Sequence, residues 1–450
     1  MINNEEQGGD ALKDTQLKCR NERVTRVFRI AQATSVLGVS FALFCSSGLA
    51  MLQGRYDREY PVIGYSQAIP TDPVSRLKSS VDSGEVTLKF DARNGYLISL
   101  LDKLSIDLES QLLVFSKTSS QIGQISPDTP RAIYFNDEVY VGWVQGGREI
   151  EISALDKDLG PVFFTLAQDE GSKSSLKRET DRCLRCHDSY SMTGGGVPRY
   201  LMGSMFPDDK GKPVTHEGWY LTTDRTPLSE RWGGWYVTGK NGGQFHMGNL
   251  IITNASDPKQ YDLQRGTNVT DLGKLIEIDP YPAKYSDIVA LLVFEHQVYI
   301  QNLIVRANWD TRSAIAKGIP TRGEIAKVAE PLLRAMLFVQ AAPILGSLAG
   351  ISGFEEQFVS RGRLDSEGRT LRELNLKERL FMYPCSYLIY SSAFNALPGL
   401  VKDYIYGRLN EVLVEGDNNK VFSHISIGDR QAIAQILKAT KPDFAEFIAR

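Results

Sequence analysis

The chain has 450 residues, 42% hydrophobic and 23% charged, and its 51 Lys and Arg nearly balance 54 Asp and Glu. That balance excludes a disordered polyelectrolyte and gives no reason to expect a nucleic acid as partner. Cys19 and Cys45 lie in the N-terminal segments, Cys183 and Cys186 in one short motif, and Cys385 stands alone. No pair is left for a structural disulfide.

Residues 1–29 are polar and end in a basic cluster: Lys18, Arg20, Arg23, Arg26 and Arg29. Residues 30–52 carry no charge and are mostly apolar or small. As a helix, about 23 residues span about 35 Å, enough for a bilayer core. The basic flank keeps the tail inside and sends the rest outside. The segment is expected to be a retained single-pass anchor with the bulk of the chain periplasmic. The alternatives are a cleaved signal peptide, which would release the chain to the periplasm, and a lipoprotein signal at Cys45. Residues 53–80 read as an irregular tether.

Residues 81–283 read as β-rich. Glu85–Phe90 alternates as a half-buried strand does, and Gly95 to Ile106 reads as a short helix. Strands are expected at 111–116, 132–135, 138–144, 149–155 and 161–166, with Asn136-Asp137 as a turn. An aromatic, Gly-rich run from 199 to 252 looks β-like. Residues 284–450 read as mainly helical. Ser286 is a candidate cap for a helix from Asp287 to about Lys317. Further helices are expected near 322–345, 370–382, 392–413 and 427–450. The expected class is therefore α+β: a β-rich half, then a helical half packing on it, preceded by one membrane or signal helix.

Cys183-Leu184-Arg185-Cys186-His187 is the most specific phrase. C-x-x-C-H is the attachment signature of a c-type haem. Two thiols three positions apart reach the two vinyl groups of one porphyrin, and the adjacent His187 supplies the proximal iron ligand. A zinc site would need a second ligand pair. A redox dithiol would be expected in a βαβ context that the flanks do not show.

Several longer phrases join this motif: RWGGWYVTG at 231–239, HMGNL at 246–250, EHQ within 287–312, and RLFMYPCSYLIYSSAFNALP at 379–398. On these phrases, in this order, the sequence resembles a family of exported, membrane-tethered bacterial cytochrome c domain-containing proteins, over roughly residues 59–414. The resemblance implies one covalent haem c and an envelope location. It does not imply the small four-helix cytochrome fold.

The second axial ligand decides what such a haem can do. His246 is the first candidate, because it follows the aromatic run. Met247 and His296 are the alternatives, and His216, His424, Met192, Met202 and Met205 are weaker ones. Arg231, Trp232 and Trp235 are candidates for pairing a propionate and packing the ring. Glu295, Tyr299, Asn302 and Arg306 share a helix stripe bordered by His296, which would bind propionates or a substrate if it faces inward. The expected function is electron transfer with a redox partner protein of the cell envelope. The alternatives are a haem-dependent oxidase or peroxidase-like enzyme and a haem gas or redox sensor.

Overall fold

A computed structural model describes residues 57–170, 175–189, 196–214, 218–253, 262–416 and 420–450. They belong to one compact unit, Arg55–Arg450. The anchor or signal segment at 30–52 lies outside the described residues. Helices and antiparallel sheet coexist, so the fold is α+β.

The sheet comes from the β-rich half. Strands β1 (Leu112–Val114), β2 (Arg131–Phe135), β3 (Val139–Val144), β4 (Glu149–Asp156), β5 (Gly160–Ala167) and β6 (Leu176–Glu179) form an antiparallel meander in chain order. Local turn chemistry sets the register. The Asn136 side chain accepts from the N–H groups of Glu138 and Val139, and the Asp156 side chain accepts from those of Asp158 and Leu159. β5 is buried along nearly its whole length, as expected of a strand covered on both faces.

The long helix Ile288–Lys317 crosses this sheet. It is apolar around most of its circumference and mostly buried, so it is a core helix. By length and composition it could also span a bilayer. Its cap is Asp287, not the expected Ser286. Asp287 Oδ1 accepts from Val289 and Ala290, and its Oδ2 accepts from Ile351 and Ser352. The Ser286 hydroxyl instead joins Leu113 N to the Tyr236 carbonyl. Polar residues on the helix satisfy the β2–β3 turn: Gln297 and Gln301 donate to the carbonyls of Asn136 and Asp137. Gly160 makes the crossing close, since a Cβ there would meet Val305.

The tether expected at 53–80 is corrected from residue 57 onward. Residues 57–82 form a strap packed onto the unit. Asp72 caps the helix Pro73–Asp82, which buries Val74, Leu77 and Val81. The Tyr65 hydroxyl donates to the Pro161 carbonyl, Arg178 donates to the carbonyls of Tyr65 and Ala68, and Arg312 donates to those of Val62 and Asp158.

Other expectations also change. Among the described residues, 199–252 holds only short strands at Gly203–Met205, Trp219–Leu221 and Lys240–Asn241. Its backbone bonds go mainly to loops and side chains, as where Asn249 bridges Val237 to the Gly266 carbonyl. The helix expected at 370–382 is absent, because the Asn375 side chain closes a turn onto Lys377 and Glu378 and Leu376 sits at φ 55°. Glu85–Phe90 is not a strand. Pro398 and Pro442 each interrupt a helix that the periodicity had drawn as continuous.

Candidate functional site

The motif follows β6 directly. Cys183 precedes a single helical turn, Leu184–His187, anchored by the buried Leu184. Cys183 is half-buried, Cys186 is exposed, and both are free thiols. The His187 ring packs on Phe163 of β5 with centroids 4.6 Å apart. Arg199 holds this turn with its backbone. Its N–H donates to the His187 carbonyl at 2.8 Å, and its carbonyl accepts from His187 Nδ1 at 2.6 Å.

A carbonyl oxygen can only accept, so the His187 proton sits on Nδ1 and the lone pair on Nε2. Burial holds the imidazole below its ordinary pKa, in the neutral form that ligates metals. The Cys183 thiol is pushed up to about 12 by burial and by the Glu151 carboxylate. A redox dithiol needs the opposite, a depressed thiol pKa. Two free sulfurs three positions apart, beside an imidazole whose outer nitrogen is the basic one, fit a covalently attached haem.

Arg199 is braced in turn from the long helix. Asn302 Oδ1 accepts from Tyr200 N, and Asn302 Nδ2 donates to the Tyr200 carbonyl, both at 2.9 Å. Asn302 and Arg306 lie one turn apart on the stripe marked out in the sequence. Burial and the neighbouring Arg306 both hold the Arg199 guanidinium below its usual range. Arg58 closes the far side of the turn, donating to Asp188 at 2.6 Å.

The expected distal ligands are engaged elsewhere. His246 is buried against Trp232, and its Nδ1 accepts from Gly248 N at 3.1 Å. Its proton is therefore on Nε2, the wrong tautomer for ligation through that atom. Burial lowers its pKa to about 4. His296 is fully buried: Nδ1 donates to Asp224 at 2.8 Å, and the Ser386 hydroxyl donates to Nε2 at 2.8 Å. Both nitrogens are taken. Met247 Sδ lies 3.7 Å from Ser204 Oγ and 3.4 Å from Tyr220 Oη. His424 donates to the Leu337 carbonyl. Met202 and Met205 are core residues, and His216 and Met192 lie outside the described residues.

Arg231, Trp232 and Trp235 also have partners within the protein. Arg231 is buried and spends its guanidinium on Glu295 at 2.7 Å and on the carbonyls of Thr226 and Asp224. Trp232 is fully buried at φ 67°, and Trp235 donates to the Gly203 carbonyl. Trp232 packs against His246 and Trp235 against Phe294, and at the intervening Gly233 a Cβ would collide with the Met205 carbonyl. Cys385 is fully buried.

The residues that sequence reasoning missed are Phe163, Arg199 and the two partners of His296, Asp224 and Ser386. Asp224 and Ser386 stand 72 and 90 positions from His296, so no local spacing could announce them. The chain matches no family model, no curated protein and no solved structure among those compared with it.

Proposed function

We propose that the protein is a monohaem c-type cytochrome of the cell envelope that acts in electron transfer. Cys183 and Cys186 would hold the haem and His187 would be its proximal ligand. The observation that carries this reading is the Nδ1 bond from His187 to the Arg199 carbonyl. A second-shell carbonyl of this kind fixes the tautomer and raises the basicity of the ligating nitrogen. When bound, haem supplies a one-electron iron couple.

The protein's own residues do the rest. Arg199 and Asn302 orient the imidazole, and Phe163 shields one side of its ring. Residues 30–52 would tether the unit to the membrane beside its redox partner.

A haem-dependent redox enzyme on a small substrate is the second reading. It is favoured by the engagement of His246 and His296 with protein partners, since the His246 proton sits on Nε2 and the His296 Nε2 lone pair is taken by the Ser386 hydroxyl. The optical spectrum of the haem-loaded full chain separates the two, oxidised and reduced, with and without carbon monoxide. A low-spin spectrum indifferent to carbon monoxide is expected for the carrier. Rapid carbon monoxide binding to high-spin iron selects the enzyme. Loss of covalent haem in Cys183→Ala and Cys186→Ala is expected in either case, and its retention in both variants would overturn the assignment.

A further inference from the structure

His296 stands between an acid and an alcohol, and each is on the nitrogen that acyl transfer requires. Asp224 Oδ2 accepts from Nδ1–H at 2.8 Å, so the lone pair is on Nε2, where the Ser386 hydroxyl donates at 2.8 Å. In this order the carboxylate fixes the tautomer and the imidazole is the base for the serine.

Each member is held in place. The Asp224 carbonyl accepts from Ala342 N–H and from Arg231. The His296 ring stacks on Phe338 with centroids 4.7 Å apart and meets Phe381 nearly edge-on. Ser386 N–H donates to the Met336 carbonyl. Its Oγ accepts from Leu388 N–H at 3.3 Å, which leaves one lone pair free. The Tyr387 N–H has no hydrogen-bond partner among the described residues. The N–H after a nucleophilic serine is a common donor to the oxyanion that forms on attack.

A cavity of about 280 Å³ adjoins these residues. Asp224, Phe338, Phe381 and Pro384 line it, so one partner of His296, both rings packed on the imidazole and the residue two before Ser386 all face the same space. Arg231 and Arg379 also line it but are paired with Glu295 and Asp429. The rest of the lining is mainly apolar, which suits a small uncharged ligand. Ser386 itself is fully buried, so the way in from the cavity runs past Phe338 and Pro384. Phe338 sits at φ 56°, a backbone region that is costly for a non-glycine residue and recurs at ligand clamps.

We infer that Ser386, His296 and Asp224 form a second functional site, a nucleophilic serine that transfers the acyl group of a small uncharged ester to water. Ser386 Oγ attacks the ester carbonyl while His296 Nε2 takes the hydroxyl proton and passes it to the departing alkoxide. Water then attacks the acyl-serine, His296 takes the water proton and returns it to Ser386 Oγ, and the carboxylic acid leaves. Asp224 is a positioning residue that acts through His296. The motif at 183–187 plays no part, so the inference is independent of the haem reading.

The experiment treats the full chain with a fluorophosphonate, whose phosphorus bonds a nucleophilic serine as fluoride leaves, and maps the adduct by peptide mass. Hydrolysis of p-nitrophenyl butyrate is followed in parallel, and circular dichroism checks that each variant folds. The adduct is expected on Ser386 in wild type, a result that needs no variant. Ser386→Ala should remove it and lower hydrolysis on the order of 10³-fold. His296→Gln should lower hydrolysis by about 10²–10⁴-fold through loss of the base. Asp224→Asn should lower kcat with KM unchanged. A folded wild type that is not labelled at Ser386 overturns the inference, and so does hydrolysis that is unchanged in Ser386→Ala. Either result makes the three residues a buried structural network and leaves the haem reading intact.

Discussion

Asn302 holds Tyr200 by both of its backbone polar groups, at 2.9 Å each, from a helix 102 positions away in the chain. The residue before Tyr200 is the one whose carbonyl orients His187. The amide of Asn302 therefore supports the motif turn without touching it. Asn302→Ala leaves two buried backbone groups unsatisfied and should cost about 2–4 kcal/mol. Asn302→Asp keeps the acceptor and loses the donor, so it should cost less at neutral pH. Urea unfolding of the two variants ranks them, and equal losses would remove the brace from the account.

His246 gives a pH signature. Its folded pKa of about 4 lies below the ordinary histidine value of 6.5. Between these values the unfolded chain binds a proton that the folded chain refuses, so stability rises with pH across that window. The contribution is complete above about pH 6.5 and lost toward pH 4, at about 3 kcal/mol in total. Asn placed at 246 can still accept from Gly248 but does not titrate. The difference in unfolding free energy between wild type and His246→Asn should change with pH between 4 and 6.5 and be flat above. A flat difference throughout would show that the ring is not buried neutral.

Arg231 and Glu295 form a buried ion pair, with side chains 6% and 0% exposed. Removing one partner strands the other. Glu295→Met or Arg231→Met should each cost about 3–5 kcal/mol, and the double substitution should recover most of that. A double-mutant cycle on denaturant stability checks this. Simple additivity would mean that the two side chains act separately.

His296 should be silent in the haem spectrum. Both of its nitrogens are committed, to Asp224 and to Ser386. His296→Gln should leave the optical spectrum of the haem-loaded protein unchanged while lowering stability by about 1–3 kcal/mol. A change from low to high spin in this variant would restore His296 as an axial ligand.

Local chemistry was legible in the sequence, and distant pairing was not. β2 to β5 stand where alternation and the Asn136-Asp137 turn put them, because a meander pairs neighbours. The long helix appeared as a 30-residue apolar run with a polar stripe. The motif at 183–187 was legible because Cys-x-x-Cys-His is a short contiguous phrase. Its support was not, because Arg199 and Asn302 act through backbone groups that carry no residue signature. The partners of His246 and Arg231 were hidden for a related reason: a histidine beside tryptophans reads like a haem pocket, and burial with local partners produces the same composition. The Gly-rich run was drawn as strands, and side-chain amides such as Asn249 take the backbone bonds that a ladder would have used.

The strap at residues 57–82 bears on the order of assembly. Val62 receives Arg312 from 250 positions later, and Arg58 reaches Asp188 across 130. Synthesis delivers these early residues long before their partners. Contacts of such separation form late, because closing a long loop carries an entropy cost that only an assembled surface offsets. The segment made first among the described residues thus has to wait for the central helix. Its docking closes the fold over the turn that carries His187.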